Sequence, residues 1–374
     1  MKYIRLLILI LAVFLVSCVS EKTPEKPVSE THSKTCVMDC GFDTFFSLND
    51  IPMEQENFST TFSELLDEYK HYNDLFDIYN DYEGLNNLKT INDMAGIQPV
   101  EVEDAILELL LEAREFYELS GGAFDITMGN LLKVWHEYRT EGMALNEQGK
   151  PGRLPSAEEL QKAYEHHGWE YVEIDESAHT VFITDPQVSL DVGGIAKGFA
   201  AEKIAQRLEA MGVHGGIVNA GGNNRMLGPK KDGSDWRVGI IDPYGKNNNV
   251  VVRIYGAVSS VTSGDYMRYY MGPDNIQLHH IIDPDTLYPA DLYHSVTIFT
   301  RDSGSADCLS TTLFTLSYEE GMILIEQYRQ AHPDDILEVV WLMDKKELPE
   351  DVNYLETDDF YVLYTEGLKE KISG

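Results

Sequence analysis

The chain has 374 residues, 43% hydrophobic and 25% charged, which is the composition of a folded protein rather than a disordered one. Asp and Glu number 63 against 29 Lys and Arg, for a formal net charge of −34. Such a polyanion repels phosphate backbones and anionic lipid, so nucleic-acid binding is excluded as a general function and any membrane attachment needs an anchor.

Residues 1–17 read as a secretory signal. Lys2 and Arg5 precede eleven consecutive apolar residues at 6–16, too few to span a bilayer. Leu15-Val16-Ser17-Cys18 resembles a bacterial lipobox, which predicts Cys18 as a lipidated (palmitate-bearing) first mature residue. Residues 18–40 then read as the lipidated cysteine and a flexible, Pro-containing tether, and 41–374 as the folded domain. The expected location is the extracytoplasmic face of a bacterial cell membrane, held by lipid. Cys36 and Cys40 are close enough for a local disulfide in an oxidising compartment. With His32 they lack a nearby fourth ligand for a metal. Cys308 reads as a small buried residue.

A first strand is predicted over 42–48 and a helix over 58–76. Val102, Ile106, Leu109, Leu110, Ala113, Phe116 and Tyr117 recur at helical spacing over 101–119, and Gly121-Gly122 ends that run. A helix follows over 125–139, then a polar loop over 143–156. The next helix, 156–167, opens with Ser156 and Glu159 as a capping box. Strands are expected over 169–175, 179–184 and 187–191, and a helix over 197–211. Further strands are expected over 215–219, 236–242, 249–254, 257–262 and 292–300. One long helix fits 304–330, before strands over 336–343 and 359–364. The order predicts an α+β fold with a strand-rich core flanked by helices, in two closely packed lobes.

Five segments carry candidate chemistry. Residues 189–198 place Asp191 at a strand end, then Gly193-Gly194, then Lys197 at a helix start; this suits an anion site and equally a plain strand-to-helix connection. The spacings of a Walker loop and of a dinucleotide fingerprint are both absent. Residues 215–224, with two Gly pairs, suit either close ligand approach or a tight hairpin. Thr262, Ser263 and Asp265 suit ligand contact or turn formation. His280 beside Asp283 suits a proton carrier or a structural histidine. Asp307 and Thr311, four apart on a predicted helix, put a carboxylate and a hydroxyl on one face, which is hard-cation chemistry such as Mg²⁺ or simply a polar helix start.

In this order the motifs resemble the ApbE family of flavin transferases. The carriers are residues 42–44, 75–79, 122–127, 191–198, 219–222, 262–266, 280–284 and 306–311. The resemblance implies an ApbE-like mixed fold and an enzyme, an FAD:protein FMN transferase. FMN would pass from FAD to a Thr or Ser hydroxyl of an acceptor flavoprotein, with Mg²⁺ as cofactor and AMP released. The alternatives on the same residues are a Mg²⁺-dependent FAD pyrophosphatase and a non-catalytic FAD-binding lipoprotein. Carried onto this chain, FAD contacts fall at Phe42, Tyr79, Ala123, Phe124, Asp125, Asp191, Lys197, His280, Ile281 and Ile282. Metal ligands fall at Gly194 (main-chain carbonyl), Asp307 and Thr311, with His280 and Asp307 as catalytic residues. The implied acceptors are membrane-linked Rnf- or Nqr-like subunits or an extracellular electron-transfer flavoprotein. The chain departs from the family pattern at Phe42-Asp43, where Met-Gly is common, at Asn223, where Asp is usual, and at Leu287, where Gly is usual.

Overall fold

A computed structural model describes residues 30–37, 41–42, 45–245, 250–346 and 348–374. The signal segment, Cys18, Cys40 and Asp43 lie outside the described residues. The strands are β1 (Thr31–Cys36), β2 (Phe46–Pro52), β3 (Val100–Glu101), β4 (Val172–Asp175), β5 (Thr180–Ile183), β6 (Ile217–Ala220), β7 (Asn223–Leu227), β8 (Trp236–Gly239), β9 (Val251–Ile254), β10 (Ala257–Gly264), β11 (Tyr269–Met271), β12 (Gln277–His279), β13 (Ser295–Thr300), β14 (Glu338–Asp344), β15 (Asn353–Glu356), β16 (Phe360–Tyr364) and β17 (Ile372–Ser373). The helices are α1 (Gln55–Phe76), α2 (Leu88–Asp93), α3 (Asp104–Leu119), α4 (Gly129–Asn146), α5 (Ala157–Tyr164), α6 (Ala196–Ala210), α7 (Ser303–Thr315) and α8 (Tyr318–Ala331).

Nine strands form one antiparallel sheet in the order β1-β2-β6-β7-β10-β13-β14-β16-β15. Its centre is buried on both faces. On β14, Val339, Trp341 and Met343 join a core with α3, α7 and α8, while Val340 and Leu342 join another under β8 and β9. Both faces of β14 are therefore apolar, and its sequence runs apolar without alternation. A second lobe of α4, α5 and the β11–β12 hairpin has its own core of Met128, Leu131, Trp135, Leu160, Tyr270, Leu278, Ile282 and Leu287. Tyr270 locks this lobe together: a Cβ on Gly142 or on Gly152 would overlap its ring.

Several expectations shift. Thr31–Cys36, expected as tether, form an edge strand on β2, and Cys36 is disulfide-bonded. The first strand of the folded body starts at Phe46 rather than Phe42, because Phe42 takes a φ of +52° and turns. Residues 187–191 make only an isolated bridge, Met128 to Ser189. The fourth helix begins at Gly129 and runs to Asn146, into the expected loop. Ser156 caps α5 through Glu159 N–H (3.1 Å), but the Glu159 carboxylate accepts from Tyr138 (2.9 Å) rather than closing the box. The long helix breaks at Leu316, where Ser317 and Glu320 form a full capping box and restart it as α8. Cys308 is a free, buried thiol.

The closest helix pair is α6 with α7. A Cβ on Gly198 would overlap the Ser303 carbonyl oxygen and stand 2.6 Å from Asp307 Cβ. On an exposed helix, Gly→Ala stabilises by about 1 kcal/mol. Here the sign reverses, because overpacking costs about 1–3 kcal/mol. Gly198→Ala is expected to lower the free energy of unfolding in a urea titration; a variant as stable as the parent would show that the two helices do not need this contact.

Candidate active site

The first turn of α6 meets α7 at one carboxylate. Asp307 is buried, and its Oδ2 accepts from Gly198 N–H at 2.9 Å and from Lys197 Nζ at 3.4 Å. Lys197 Nζ also donates to the Gly193 carbonyl (3.4 Å). Thr311, one turn on from Asp307, has its Oγ1 3.4 Å from Ser263 Oγ, which in turn bonds Ser310 Oγ at 2.8 Å. A Cβ on Gly194 would stand 3.5 Å from Thr311 Oγ1 and 3.1 Å from the Phe124 ring. Gly194, Lys197, Asp307, Thr311 and Phe124 are thus brought together from three separate stretches of sequence. Asp307, the Thr311 hydroxyl and the Gly194 carbonyl are oxygen donors with a single carboxylate, a set suited to a hard cation that takes its remaining ligands from water or phosphate. Among the described residues, no group of three or more His, Cys, Asp or Glu is placed to hold a metal.

Asp191 anchors the neighbouring loop. Its Oδ1 accepts from Gly193 N–H at 2.8 Å, and its own N–H donates to Ile126 O at 2.8 Å, tying the 122–127 loop to the start of α6. Burial pushes its carboxyl above the usual range. Asp125 behaves likewise, but its Oδ1 is taken by the N–H (2.8 Å) and hydroxyl (2.7 Å) of Thr127, so it shapes the loop. Ala123 is half-buried beside it. Tyr79 is 52% exposed and lies against His136, ring centroids 5.0 Å apart. Partial burial and the Asp191 carboxylate push its phenol up to about 12.

The two adjacent histidines divide their roles. His279 is satisfied at both nitrogens, Nε2 with Ala290 O (2.7 Å) and Nδ1 with Ile281 N–H (3.2 Å), so it is structural. His280 Nδ1 is buried without a hydrogen-bond partner. Burial, then Arg268, Arg139, His279 and Lys197, hold its imidazole well below the ordinary value. The side chains of Ile281 and Ile282 sit in two different cores, and Ile281 N–H and C=O are both bonded, the carbonyl to Ala290 N–H (3.1 Å). Phe42 also turns inward, bonding Asn73 Oδ1 through its N–H and packing on Tyr69 (5.2 Å) and Phe76 (6.5 Å).

Three residues not singled out from sequence border this space. His136 and Arg139 lie on α4, with Arg139 Nη2 3.0 Å from His136 Nδ1. Arg268 lies two residues after the 262–266 motif and two before Tyr270. Burial and the charge of Arg268 both weaken the hold of Arg139 on its proton. His136, Arg139 and Arg268 all act electrostatically on the buried Asp191, from segments that are distant in sequence.

The model of the ApbE family matches residues 42–333. The FAD:protein FMN transferase of Treponema pallidum is 35% identical over 257 residues, covering 64% of this chain and 68% of its own. That of Vibrio cholerae is 28% identical over 304 residues, covering 81% and 86%. Among solved structures, the ApbE protein of Thermotoga maritima matches with a TM-score of 0.69 at 30% identity, over 83% of this chain and 94% of that one. The flavin transferase ApbE of Vibrio cholerae gives 0.69 at 24% identity, over 91% and 99%, a likeness of fold. With the motifs, the sheet and the Asp307 site in agreement, the chain belongs to the ApbE family.

Proposed function

We propose that this chain transfers FMN from FAD to a Thr or Ser hydroxyl of an acceptor flavoprotein, with Mg²⁺ as cofactor and AMP as the leaving product. The observation that carries the reading is the meeting of Asp307, Thr311, Gly194 and Lys197 at the start of α6, with His280, whose Nδ1 is unused, within electrostatic reach of Lys197. The names of the relatives support it. The acceptor oxygen attacks the phosphorus of the FMN half; a new P–O bond forms, the P–O bond to AMP breaks, and AMP leaves with the electron pair. Lys197 and the N-terminus of α6 bring positive charge to the phosphates. Asp307, Thr311 and the Gly194 carbonyl would hold Mg²⁺, which when bound neutralises charge on the diphosphate. His280, neutral at pH 7, takes the hydroxyl proton. Lipidation at Cys18 would place this chemistry outside the cytoplasmic membrane, beside Rnf- or Nqr-like acceptors.

The test is incubation with FAD, Mg²⁺ and an extracytoplasmic flavoprotein domain, read by intact mass and AMP release. An FMN adduct on the acceptor with matching AMP is expected. Free FMN and AMP with an unmodified acceptor would make the chain a pyrophosphatase, and no turnover would make it a carrier.

Asp307→Asn keeps an oxygen for Gly198 N–H, so folding and much of the FAD binding are expected to survive. Turnover should fall by roughly 100-fold or more, since an ion at a developing charge is worth several kcal/mol. EDTA should mimic the variant, and added Mg²⁺ should rescue the parent but not Asp307→Asn. Undiminished turnover in EDTA would remove the metal from the reaction.

The pH profile separates His280 from an ordinary histidine. Its value is lowered, so the neutral base persists as pH falls through 6.5 and is lost only well below. kcat/KM, which reports the free enzyme, should show no acid limb near 6.5. The diphosphate adds negative charge beside the ring, so the acid limb of kcat should lie higher. His280→Gln should cost about 10²–10⁴-fold in kcat. A kcat/KM limb at the ordinary imidazole value would take the proton transfer away from His280.

A further inference from the structure

Tyr79 leaves half of its surface in solvent, yet both its backbone and its ring are held. Its N–H donates to Asp77 Oδ1 (2.6 Å), and Asn80 N–H donates to the same oxygen (3.1 Å), which fixes the turn. Asn87, the cap of α2, ties that turn to the helix by donating from Nδ2 to Asn80 O (2.9 Å). Farther along α2, Asn92 binds Leu190 in both directions, Nδ2 to Leu190 O (3.0 Å) and Leu190 N–H to Oδ1 (2.8 Å). The start of α4 is seated on the residue before, Gly129 N–H donating to Ser189 O at 2.9 Å. His136 lies about two turns farther along the same face of α4. Residues 189–190 therefore hold the Tyr79 turn and α4 against each other, and the two meet ring on ring. The centroids of Tyr79 and His136 are 5.0 Å apart and their planes 30° apart. The imidazole is fixed in its turn by Arg139. A guanidinium only donates, so Nη2 at 3.0 Å from His136 Nδ1 requires a lone pair there. The ring is then neutral with its hydrogen on Nε2, in keeping with burial and Arg139 lowering its hold on a second proton.

We propose that His136 and Arg139 are positioning residues, which set the Tyr79 ring as a fixed platform for the isoalloxazine ring of FAD. This rests on the reading of FAD as substrate, with Tyr79 in contact with it. A tyrosine exposed to this degree ordinarily moves among rotamers, and ordering it on binding costs free energy. A ring already packed on His136 has lost that freedom before the ligand arrives. An offset, tilted pair of this kind covers one face of the phenol and leaves the other open. Arg139 acts one step farther back: its hydrogen bond stops the imidazole from turning edge-on to Tyr79. Isoalloxazine is flat, uncharged and electron-poor, so it stacks on an electron-rich phenol, and neither His136 nor Arg139 has to touch it. The pair acts through Tyr79 alone.

The probes are FMN and AMP, the two halves of FAD. Each carries one phosphate, so a difference between them reads the ring. Both are titrated into the mature chain in Mg²⁺ buffer, FMN by its fluorescence, which stacking on a phenol quenches. His136→Ala is expected to weaken FMN about 3- to 10-fold, the range of a lost aromatic pair, and to restore part of the fluorescence of bound FMN. AMP affinity should stay within about twofold, which also shows that the fold survives. His136→Phe keeps a ring and should recover most of the loss. Arg139→Met should weaken FMN less than His136→Ala does, and should have no effect in the His136→Phe background. In the Tyr79→Leu background His136→Ala should add nothing, because residues that act as one unit are not additive. An equal loss in both backgrounds would overturn the positioning role, as would unchanged FMN affinity and quenching in His136→Ala. A loss that falls on AMP instead would overturn it and give the ring pair to adenine. A parent chain that holds FMN on this platform yet never modifies an acceptor would sink the transferase reading and leave the positioning role standing. Acceptor modification by a parent whose FMN binding ignores His136 would do the reverse.

Discussion

The hydrogen bond from Gly198 N–H to Asp307 Oδ2 is the contact on which the site is built. A buried carboxylate without partners is expensive, so it must be placed where positive charge already exists. The first turn of α6 supplies that charge through free N–H groups and the helix dipole, and Lys197 supplements it. Asp307 is thereby fixed in direction, and Thr311 one turn later is fixed with it. The contact works only because residue 198 has no side chain, which lets α7 approach the backbone of α6.

A second acid tightens the same helix pair from the other side. Glu202, one turn beyond Gly198, is buried and accepts from Ser303 N–H, at the start of α7, at 2.9 Å. It also pairs with Arg225 of β7 at 2.9 Å. Each helix thus presents a carboxylate to the other helix's opening N–H groups. Arg225 carries that arrangement into the sheet, where it lies opposite Ser259 on β10, the strand that also bears Ser263. The rigid core of the sheet, apolar on both faces, sits behind these polar links. It holds the loops without taking part in the chemistry.

Much of this was legible in the sequence, for physical reasons that can be named. The spacing of α3 and its Gly121-Gly122 stop are local signals, and the structure gives those glycines φ values of 63° and 96°. Asp307 and Thr311 share a helix face by periodicity alone. What escaped depends on distant partners. Asn223–Leu227 reads as polar, yet β7 is largely buried because Arg225 meets Glu202. The hairpin reading of residues 215–224 was correct, with Gly221 and Gly222 as its turn. Leu287 takes a φ of +64°, in the left-handed region that favours glycine. Here burial in the α4 core and the bond from Trp135 Nε1 to its carbonyl hold the strained backbone in place. The capping box at Ser317 was a local signal too, overridden in the reading by the apolar run around it.

The excess of acid in the whole chain and the cations of the site are compatible because of screening. At physiological salt, charges separated by more than about 8 Å act weakly on each other through solvent. Most of the carboxylates lie on exposed faces and keep the protein soluble without governing what enters the site. Within the site the balance is different. Asp307 is matched by Lys197 and the α6 terminus, and burial raises the carboxyl of Asp191 toward its neutral form. Arg139 and Arg268 remain without an ion pair among the described residues. Both nonetheless act electrostatically on the buried Asp191 carboxylate, so the cations of this recess are set against one buried acid rather than against the exposed majority. The α4 segment that carries Arg139 is held against the β11 strand that follows Arg268 by an apolar contact, the Tyr270 ring against Gly142 and Gly152, which is not screened by salt as an ion pair is.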